Sequence, residues 1–225
     1  MEYQEPTQDI LEISAAKRYQ TVEELLTQST PNQMFYTMLV LSTLIISGGV
    51  ILGNTGIIIG GMLVTPLLTQ ILVLALGFTT GQTELIKRVS IFIGKITLAI
   101  IVGSFVLGLV FGRDVVYPLL SESIFTGILY MIVAIASGVA ATVALIHKEM
   151  SEVLPGVAIA VSLVPPLAFI GVALSQGDGS IASDYIMVYI LNLFGIILGS
   201  FGVFSLSQFG QSHRAVQQHE QETVT

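Results

Sequence analysis

Two stretches of this chain carry the same arrangement of glycine and proline. Residues 54–68 read NTGIIIGGMLVTPLL, and residues 154–168 read LPGVAIAVSLVPPLA. At an offset of 100 they share these identities: Gly56/Gly156, Ile59/Ile159, Leu63/Leu163, Val64/Val164, Pro66/Pro166 and Leu67/Leu167. Shared leucine and valine carry little weight in an apolar sequence, but glycine and proline in one register indicate an internal repeat.

The composition around these stretches is that of a membrane protein. Of 225 residues, 53% are hydrophobic and only 10% are charged, and the mean hydropathy is +0.85. Soluble domains carry roughly 25% charged residues, so an ordinary soluble enzyme, a disordered chain and a basic nucleic-acid binder are excluded. The chain contains no cysteine, which excludes disulfides and thiol nucleophiles.

Six apolar runs are each long enough to cross about 30 Å of hydrocarbon. They cover residues 34–53, 56–78, 88–111, 124–146, 154–174 and 186–207. The sequence therefore predicts an all-α fold with six transmembrane helices. A tight turn at Gly53-Asn54-Thr55 separates the first two runs, and Asp184 is expected to cap the sixth helix.

The repeat divides the chain into five segments. An N-terminal tail, 1–33, is expected to hold a short amphipathic helix on the membrane or a neighbouring subunit. Thr21 and Glu24 have capping-box spacing within it. Repeat 1 covers residues 34–111 and repeat 2 covers residues 124–207, with an outer linker at 112–123 between them. The C-terminal tail, residues 208–225, is expected to be disordered.

The cations predict the orientation. In a six-span chain, six of the eight cations fall on one side: Lys17, Arg18, Lys87, Arg88, Lys148 and Arg214. The positive-inside rule then places both termini in the cytoplasm. If runs 2 and 5 were re-entrant hairpins, three of these cations would lie outside, so that alternative is disfavoured.

Three spans in each repeat force the second copy to be inverted relative to the first, a plan common among transporters. Proline within helices 2 and 5 would free backbone carbonyls and open a polar centre. The candidate pathway residues are Thr65, Pro66, Thr69, Gln70, Lys95, Ser162, Pro165, Pro166 and Asn192. The alternatives are packing kinks at the prolines, a Lys95 that snorkels to the headgroups and an Asn192 that only bonds a neighbouring helix. Ile100 is expected to face lipid.

No catalytic or metal-binding arrangement is evident in the sequence. His147, His213 and His219 lie at or beyond helix ends, and no span has a central acid. The sequence therefore predicts a protein that is not an enzyme and has no cofactor. We expect translocation of a small solute or ion, or alternatively a scaffold or lipid-interacting protein. The expected partners are membrane lipids, that solute and further copies of the chain, because glycine pairs such as Gly56/Gly60 and Gly195/Gly199 favour helix contacts.

The quoted stretches, followed by LIKRVS and by the span holding Asn192-Leu193, resemble the prokaryotic membrane proteins called domain of unknown function 389. The resemblance covers roughly residues 35–207 and implies a multi-pass protein of the cytoplasmic membrane. Members often carry Ala-Met-Leu-Ile-(Ala/Ser)-Pro-Leu where this chain has GMLVTPL at 61–67. Many members carry a soluble domain beside the membrane unit. The resemblance implies no substrate.

Overall fold

The computed structural model describes residues 13–112, 115, 117, 124–147 and 163–212. The structure of these residues is helical. The helices are α1 (Ala15–Gln28), α2 (Gln33–Ile51), α3 (Thr55–Val64), α4 (Leu67–Thr80), α5 (Thr83–Phe111), α6 (Ile124–Ile146), α7 (Val164–Ser175), α8 (Gly179–Leu206) and a 3-10 helix (Phe209–Ser212).

Four helices are long and apolar enough to cross a membrane: α2, α5, α6 and α8. The consecutive helices α3 and α4 form a bent pair that adds a fifth such segment. Large apolar side chains such as Leu98, Phe125 and Phe194 are exposed on the long helices. An all-helical membrane protein is therefore confirmed, with four to five candidate spans in the described residues. Predicted span 5 is described only from Leu163 onward.

The short helices α4 and α7 occupy the interior of the bundle. Residues 70–77 of α4 and 163–173 at and within α7 are all buried. In the long helices α2, α5, α6 and α8, less than half of each apolar window is buried. The long helices pack around the two short ones and leave large apolar side chains on the outside of the bundle, where a membrane span faces lipid.

The second predicted span is broken at Thr65-Pro66. Helices α3 and α4 meet there at a bend of 55°. Thr65 has an extended backbone, with φ −79° and ψ 122°, and Pro66 takes the N-cap position of α4. Proline disfavours the helical conformation of the residue before it and lacks the N–H that would continue the ladder. The matched prolines Pro165 and Pro166 lie in the first turn of α7, where proline is tolerated.

Two long helices begin earlier than their apolar runs. Helix α5 starts at Thr83 and α8 at Gly179, so 179–184 are helical and the predicted cap at Asp184 is wrong. Asp178 holds the N-cap position instead, directly after Gly177 at φ 81°. The apolar run marks where a helix is in hydrocarbon, whereas the helix itself continues into the polar boundary.

Helix α1 is a single helix whose apolar stripe is used within the chain. Ser14 caps it, accepting a hydrogen bond from the Lys17 N–H, while the Thr21 hydroxyl donates to the Lys17 carbonyl in mid-helix. The predicted capping box at Thr21 is therefore wrong. Val22 and Leu25 are fully buried, since α1 packs against α4, α6 and the 3-10 helix of its own bundle.

The described chain ends in a packed segment. Phe209 of the 3-10 helix is fully buried and its ring lies 5.0 Å from that of Phe204. The folded unit therefore extends past 207, where repeat 2 was predicted to end. The rest of the predicted C-terminal tail, 213–225, lies outside the described residues.

Contacts along α2 and α5 show that these two helices run in the same direction. The ring of Phe35 lies 5.4 Å from that of Phe92, and further along both helices Ser47 donates a hydrogen bond to Ser104 at 2.8 Å. In contrast, α4 runs opposite to α5, because the left-handed Gly81 closes a short turn between them.

The second set of helices repeats these relations. Helices α6 and α8 run in the same direction, because Gly195 packs against Ala134 and the later Gly199 against Val139. Helix α7 runs opposite to α8 across the short turn at Gln176–Asp178. Helix α7 also lies along α5 in the same direction, with Gly171 against Ser104 near its middle and Gln176 against Gly112 at its end.

Candidate functional site

The longest two helices meet at a hydrogen bond near their midpoints. Thr97 of α5 and Tyr189 of α8 have their hydroxyl oxygens 2.7 Å apart. Asn192, one turn further along α8, is only 5% exposed. Buried polar side chains are costly unless they bond to each other or to water, and the bond between Thr97 and Tyr189 satisfies both hydroxyls; we call this contact the α5–α8 crossing.

Two further polar contacts tie each long helix to the first helix of its own set. The Ser47 hydroxyl of α2 donates to Ser104 of α5. The Ser200 hydroxyl of α8 donates to the Gly138 carbonyl of α6 at 3.2 Å. All three serines are fully buried. These contacts join α2 to α5 and α6 to α8 by buried hydrogen bonds.

Sequence reasoning missed Thr97, Tyr189 and these serines. A signal for part of the set was present: residues 100–105 read IIVGSF and residues 196–201 read IILGSF, which pairs Ser104 with Ser200. Thr97 and Tyr189 have no matched residues in the other half, because they form one contact with each other rather than one equivalent contact in each half. Ile100, predicted to face lipid, is fully buried, so that prediction is wrong; Leu98 and Val102 are exposed in its place.

The predicted pathway residues that the structure describes lie in several places. The Thr65 hydroxyl donates to the Gly61 carbonyl of its own helix at 3.1 Å, and Pro66 and Thr69 are half-buried. Pro165 and Pro166 are buried in the first turn of α7, and Asn192 is buried one turn after Tyr189 on α8. Ser162 lies outside the described residues.

Gln70 and Lys95 do come together, in a groove between the α1–α2 turn, α4 and α5. The groove has a volume of about 390 Å³. We call it the basic groove; it is lined by Ser29, Thr30, Pro31, Gln70, Arg88, Val89, Ile91, Phe92 and Lys95. Gln70, almost fully buried, donates from Nε2 to the Ser29 carbonyl at 3.0 Å and so fixes the turn over α4. Sequence reasoning missed Arg88 as a partner of Lys95.

Aromatic rings pack together where α7, α8 and the linker before α6 meet. Phe169 of α7 stacks on Tyr185 of α8 at 4.5 Å between ring centres, and Tyr117 of the linker packs against the same Phe169 at 6.3 Å. Burial, and then the negative charge of Asp178, raise the pKa of Tyr117. The Tyr117 phenol therefore resists ionisation even at alkaline pH, and its ring covers Phe169 of α7.

Within the described residues, no group of three His, Cys, Asp or Glu side chains could hold a metal ion. The polar side chains brought together are two hydroxyls at the α5–α8 crossing and an amide and two cations in the basic groove. Such groups bind ions and polar solutes by hydrogen bonds and charge.

Comparison with known proteins identifies the family without giving an activity. The chain is 26% identical over 169 residues to an uncharacterised protein of Methanocaldococcus jannaschii. The match covers 75% of this chain and 52% of the relative, so the chain spans about half the length of the curated relative it matches. No solved structure matches. The family described as Domain of unknown function (DUF389) matches residues 62–198, from α3 to α8, and the chain belongs to that family of membrane proteins.

Proposed function

We propose that this protein translocates a small solute or ion through a polar site at the interface of two inverted repeats. The observation that carries the proposal is the opposite direction of α4 and α7, two buried short helices that begin at matched prolines. Half-helices of this kind form the solute sites of many transporters.

The directions of the packed helices support an inverted repeat. Helix α4 runs against α5, whereas α7 runs along α5, so α4 and α7 point opposite ways. Helix α8 runs against α7 and therefore against α5. Since α2 runs along α5 and α6 runs along α8, the first helices of the two sets are opposed as well. All three matched pairs have the relation that inversion requires.

Sequence matches outside the proline stretches support the same pairing. Residues 45–48 read IISG and 135–138 read IASG, which matches α2 with α6. The matched Gly103 and Gly199 each lie against the first helix of their own set, at Thr43 and Val139 respectively. Matched residues that make matched contacts support a shared origin of the two halves.

The bend at Thr65-Pro66 favours a crossing over a re-entrant hairpin. Ten residues of α3 and fourteen of α4 extend about 15 Å and 21 Å. A re-entrant segment must reverse its direction, whereas a bend of 55° leaves both helices advancing across the bilayer. Together they are long enough for about 30 Å of hydrocarbon.

Inversion would place the α5–α8 crossing on the axis that relates the halves. Thr97, Tyr189 and Asn192 then supply hydroxyl and amide groups close to mid-membrane. In this proposal Thr65, Thr69 and Ser162 extend the polar path from the helix breaks. Transporters built from inverted repeats bind their solutes at this interface.

We further propose a cytoplasmic-membrane location with both termini in the cytoplasm. The cations on one side support this orientation. Reporter fusions in the loops at 81–84 and 149–152 are expected to read cytoplasmic. An external signal from either loop would contradict both the orientation and the inverted repeat.

The translocation proposal is tested by water access to the polar centre. The chain has no native cysteine, so single cysteines can be placed at Thr65, Thr69, Ser162, Thr97, Tyr189 and Asn192 without a prior background change. In vesicles, several of these sites are expected to react with a small membrane-impermeant thiol reagent. A carrier should show side-dependent labelling, because its cavity opens to one face at a time.

Two control positions set the limits of this experiment. A cysteine at Leu98 faces lipid, since that residue is 62% exposed on α5, and one at Ile100 is packed in protein. Both are expected to stay unlabelled from either side. If the central sites are as inert as these controls, the centre is dry and the translocation proposal is rejected.

A non-transporting scaffold or lipid-interacting protein is the second candidate. The observation in its favour is that polar groups near the break are bonded within the protein, as Thr65 is to Gly61 and Gln70 to Ser29. A dry, fully bonded centre needs no solute. Inert central cysteines are the result that this candidate predicts.

We also propose that the protein is a homo-oligomer. The pairs Gly108/Gly112 and Gly195/Gly199 pack within the chain, but Gly60 of α3 is exposed with no other atom near an added Cβ. Mass measurement in nanodiscs is expected to give more than one copy. A monomer at all protein concentrations would contradict this.

A further inference from the structure

We propose that the basic groove binds the phosphate of an anionic phospholipid. Its two cations, Arg88 and Lys95, lie two turns apart on one face of α5 and both line the cavity. No acidic side chain is among the residues that line it. This inference does not depend on translocation, because the groove and the α5–α8 crossing are separate features.

The charges of the groove call for an anion. Among the described residues, neither Arg88 nor Lys95 has an ion-pair partner in the groove. The other polar groups are engaged: Gln70 donates to the Ser29 carbonyl, and the Ser29 and Thr30 hydroxyls donate to the Leu26 carbonyl. The remaining donors are cationic, and a guanidinium beside an ammonium is well suited to the oxygens of a phosphate.

The apolar surface of the groove favours a lipid over a free anion. Val89, Ile91 and Phe92 form its wall. Beyond Lys95 the same face of α5 continues with Leu98 and Val102, which are 62% and 51% exposed. Positions 88, 91, 95, 98 and 102 form one helical stripe, so a headgroup held by the cations has an acyl chain path directly below it.

The groove also lies at headgroup depth. Its Phe92 packs against Phe35, close to the first residue of α2. The 19 residues of α2 extend about 28 Å, nearly the thickness of the hydrocarbon. The beginning of α2, and the groove beside it, therefore lie at one membrane boundary. Basic pockets at this depth are typical sites for anionic headgroups.

The test measures retained lipid on the full-length protein by native mass spectrometry in mild detergent. Phosphatidylglycerol and phosphatidylcholine are titrated in parallel onto the unsubstituted protein and onto Arg88→Gln, Lys95→Gln and the double variant. Phosphatidylglycerol is expected to bind the unsubstituted protein more tightly. Each single substitution should weaken phosphatidylglycerol binding about tenfold, which is the usual effect of losing one hydrogen bond to a charged group. Lys95→Arg should retain binding because the charge is kept.

Lys87→Gln is the matched control. Lys87 precedes Arg88, is exposed and does not line the groove, so its loss changes the net charge of α5 equally but should leave binding unchanged. Equal loss from Lys87→Gln, or equal binding of both lipids, would overturn the proposal. Displacement of the lipid by millimolar-range glycerol phosphate would also overturn it and assign the groove to a soluble phosphate. Circular dichroism confirms that each variant is folded.

Discussion

Helices α4 and α7 are the matched short helices of the two halves, yet their surroundings differ. Counted from the matched Leu67 and Leu167, Gln70 and Ile71 of α4 correspond to Ile170 and Gly171 of α7. Gly171 allows α7 to lie directly on the α5 backbone, against the Ile101 carbonyl and Ser104. Helix α4 has a fully buried isoleucine at this place and a glutamine that bonds to the α1–α2 turn.

This difference indicates that α4 and α7, although they are matched helices, have different roles in the two halves. The α5–α7 contact is closed by small residues, since Gly108 also packs against Ser175. The α4 side carries the basic groove, with a polar side chain at its base. The backbone course and the proline positions are common to both halves. Side-chain volume differs between them: small residues close the α5–α7 contact, whereas the α4 side keeps a groove open to a ligand.

The largest effect is expected from Gly171→Ile, which gives α7 the residue of α4. An added Cβ would meet the Ile101 carbonyl and lie 2.6 Å from the Ser104 Cβ. The backbone cannot yield as a side chain does, so the helices must separate. We expect a loss above about 4 kcal/mol or failure to fold, measured by unfolding in detergent with far-UV circular dichroism.

Gly94→Ala is the control for that substitution. Gly94 lies in α5, is exposed and has no other atom within 4 Å of an added Cβ. Alanine there should be neutral or stabilising by up to about 1 kcal/mol. If Gly171→Ile were as mild as this control, the close α5–α7 contact would not exist.

Ile71→Ala tests the α4 side, where Ile71 takes the place that Gly171 has in α7. Ile71 is fully buried in α4, so its truncation removes apolar contacts and leaves a cavity. We expect a loss of about 2–4 kcal/mol, smaller than for Gly171→Ile. Chemical unfolding in detergent measures it. A change below about 1 kcal/mol would mean that α4 is loosely packed.

A smaller and local effect is expected from Gln70→Leu, which brings α4 closer to Ile170 of α7. The Ser29 carbonyl would lose its donor, which costs about 1–3 kcal/mol for a buried group. Because that carbonyl belongs to the α1–α2 turn, limited proteolysis at residues 28–33 should accelerate while global unfolding changes less. Unchanged proteolysis would show that Gln70 does not hold the turn; Thr69→Val is the neighbouring control.

Much of the fold could be predicted because its signals are local. The predicted first and fourth spans agree with α2 and α6 to within two residues. The turn after α2 was expected from Gly53-Asn54, and Gly53 has φ 63° while Asn54 caps α3. The break at Pro66 follows from covalent geometry alone. Each of these features is determined by a few consecutive residues.

The features that could not be predicted from the sequence depend on contacts between residues far apart in the chain. Helix α8 begins at Gly179 in polar sequence, where Ala182 and Tyr185 are held by packing. Ile100 is apolar, but the position of α7 makes it a core residue rather than a lipid-facing one. Gln70 and Lys95 were predicted individually; only the α1–α2 turn, 41 residues from Gln70, makes them part of one groove.

The smallest effect concerns the crossing where the two halves meet. Thr97→Val and Tyr189→Phe each remove one hydroxyl of the 2.7 Å contact and preserve shape. A double-mutant cycle isolates the pair, and hydrogen bonds between membrane helices average about 0.6 kcal/mol in such cycles. We expect a coupling of about that size if the two hydroxyls bond only to each other. Water at a solute site would offer each hydroxyl another partner, so a coupling near zero with cysteine labelling at position 97 supports a wet crossing. A coupling near zero without labelling would contradict the contact itself, because two dry hydroxyls at that distance must interact.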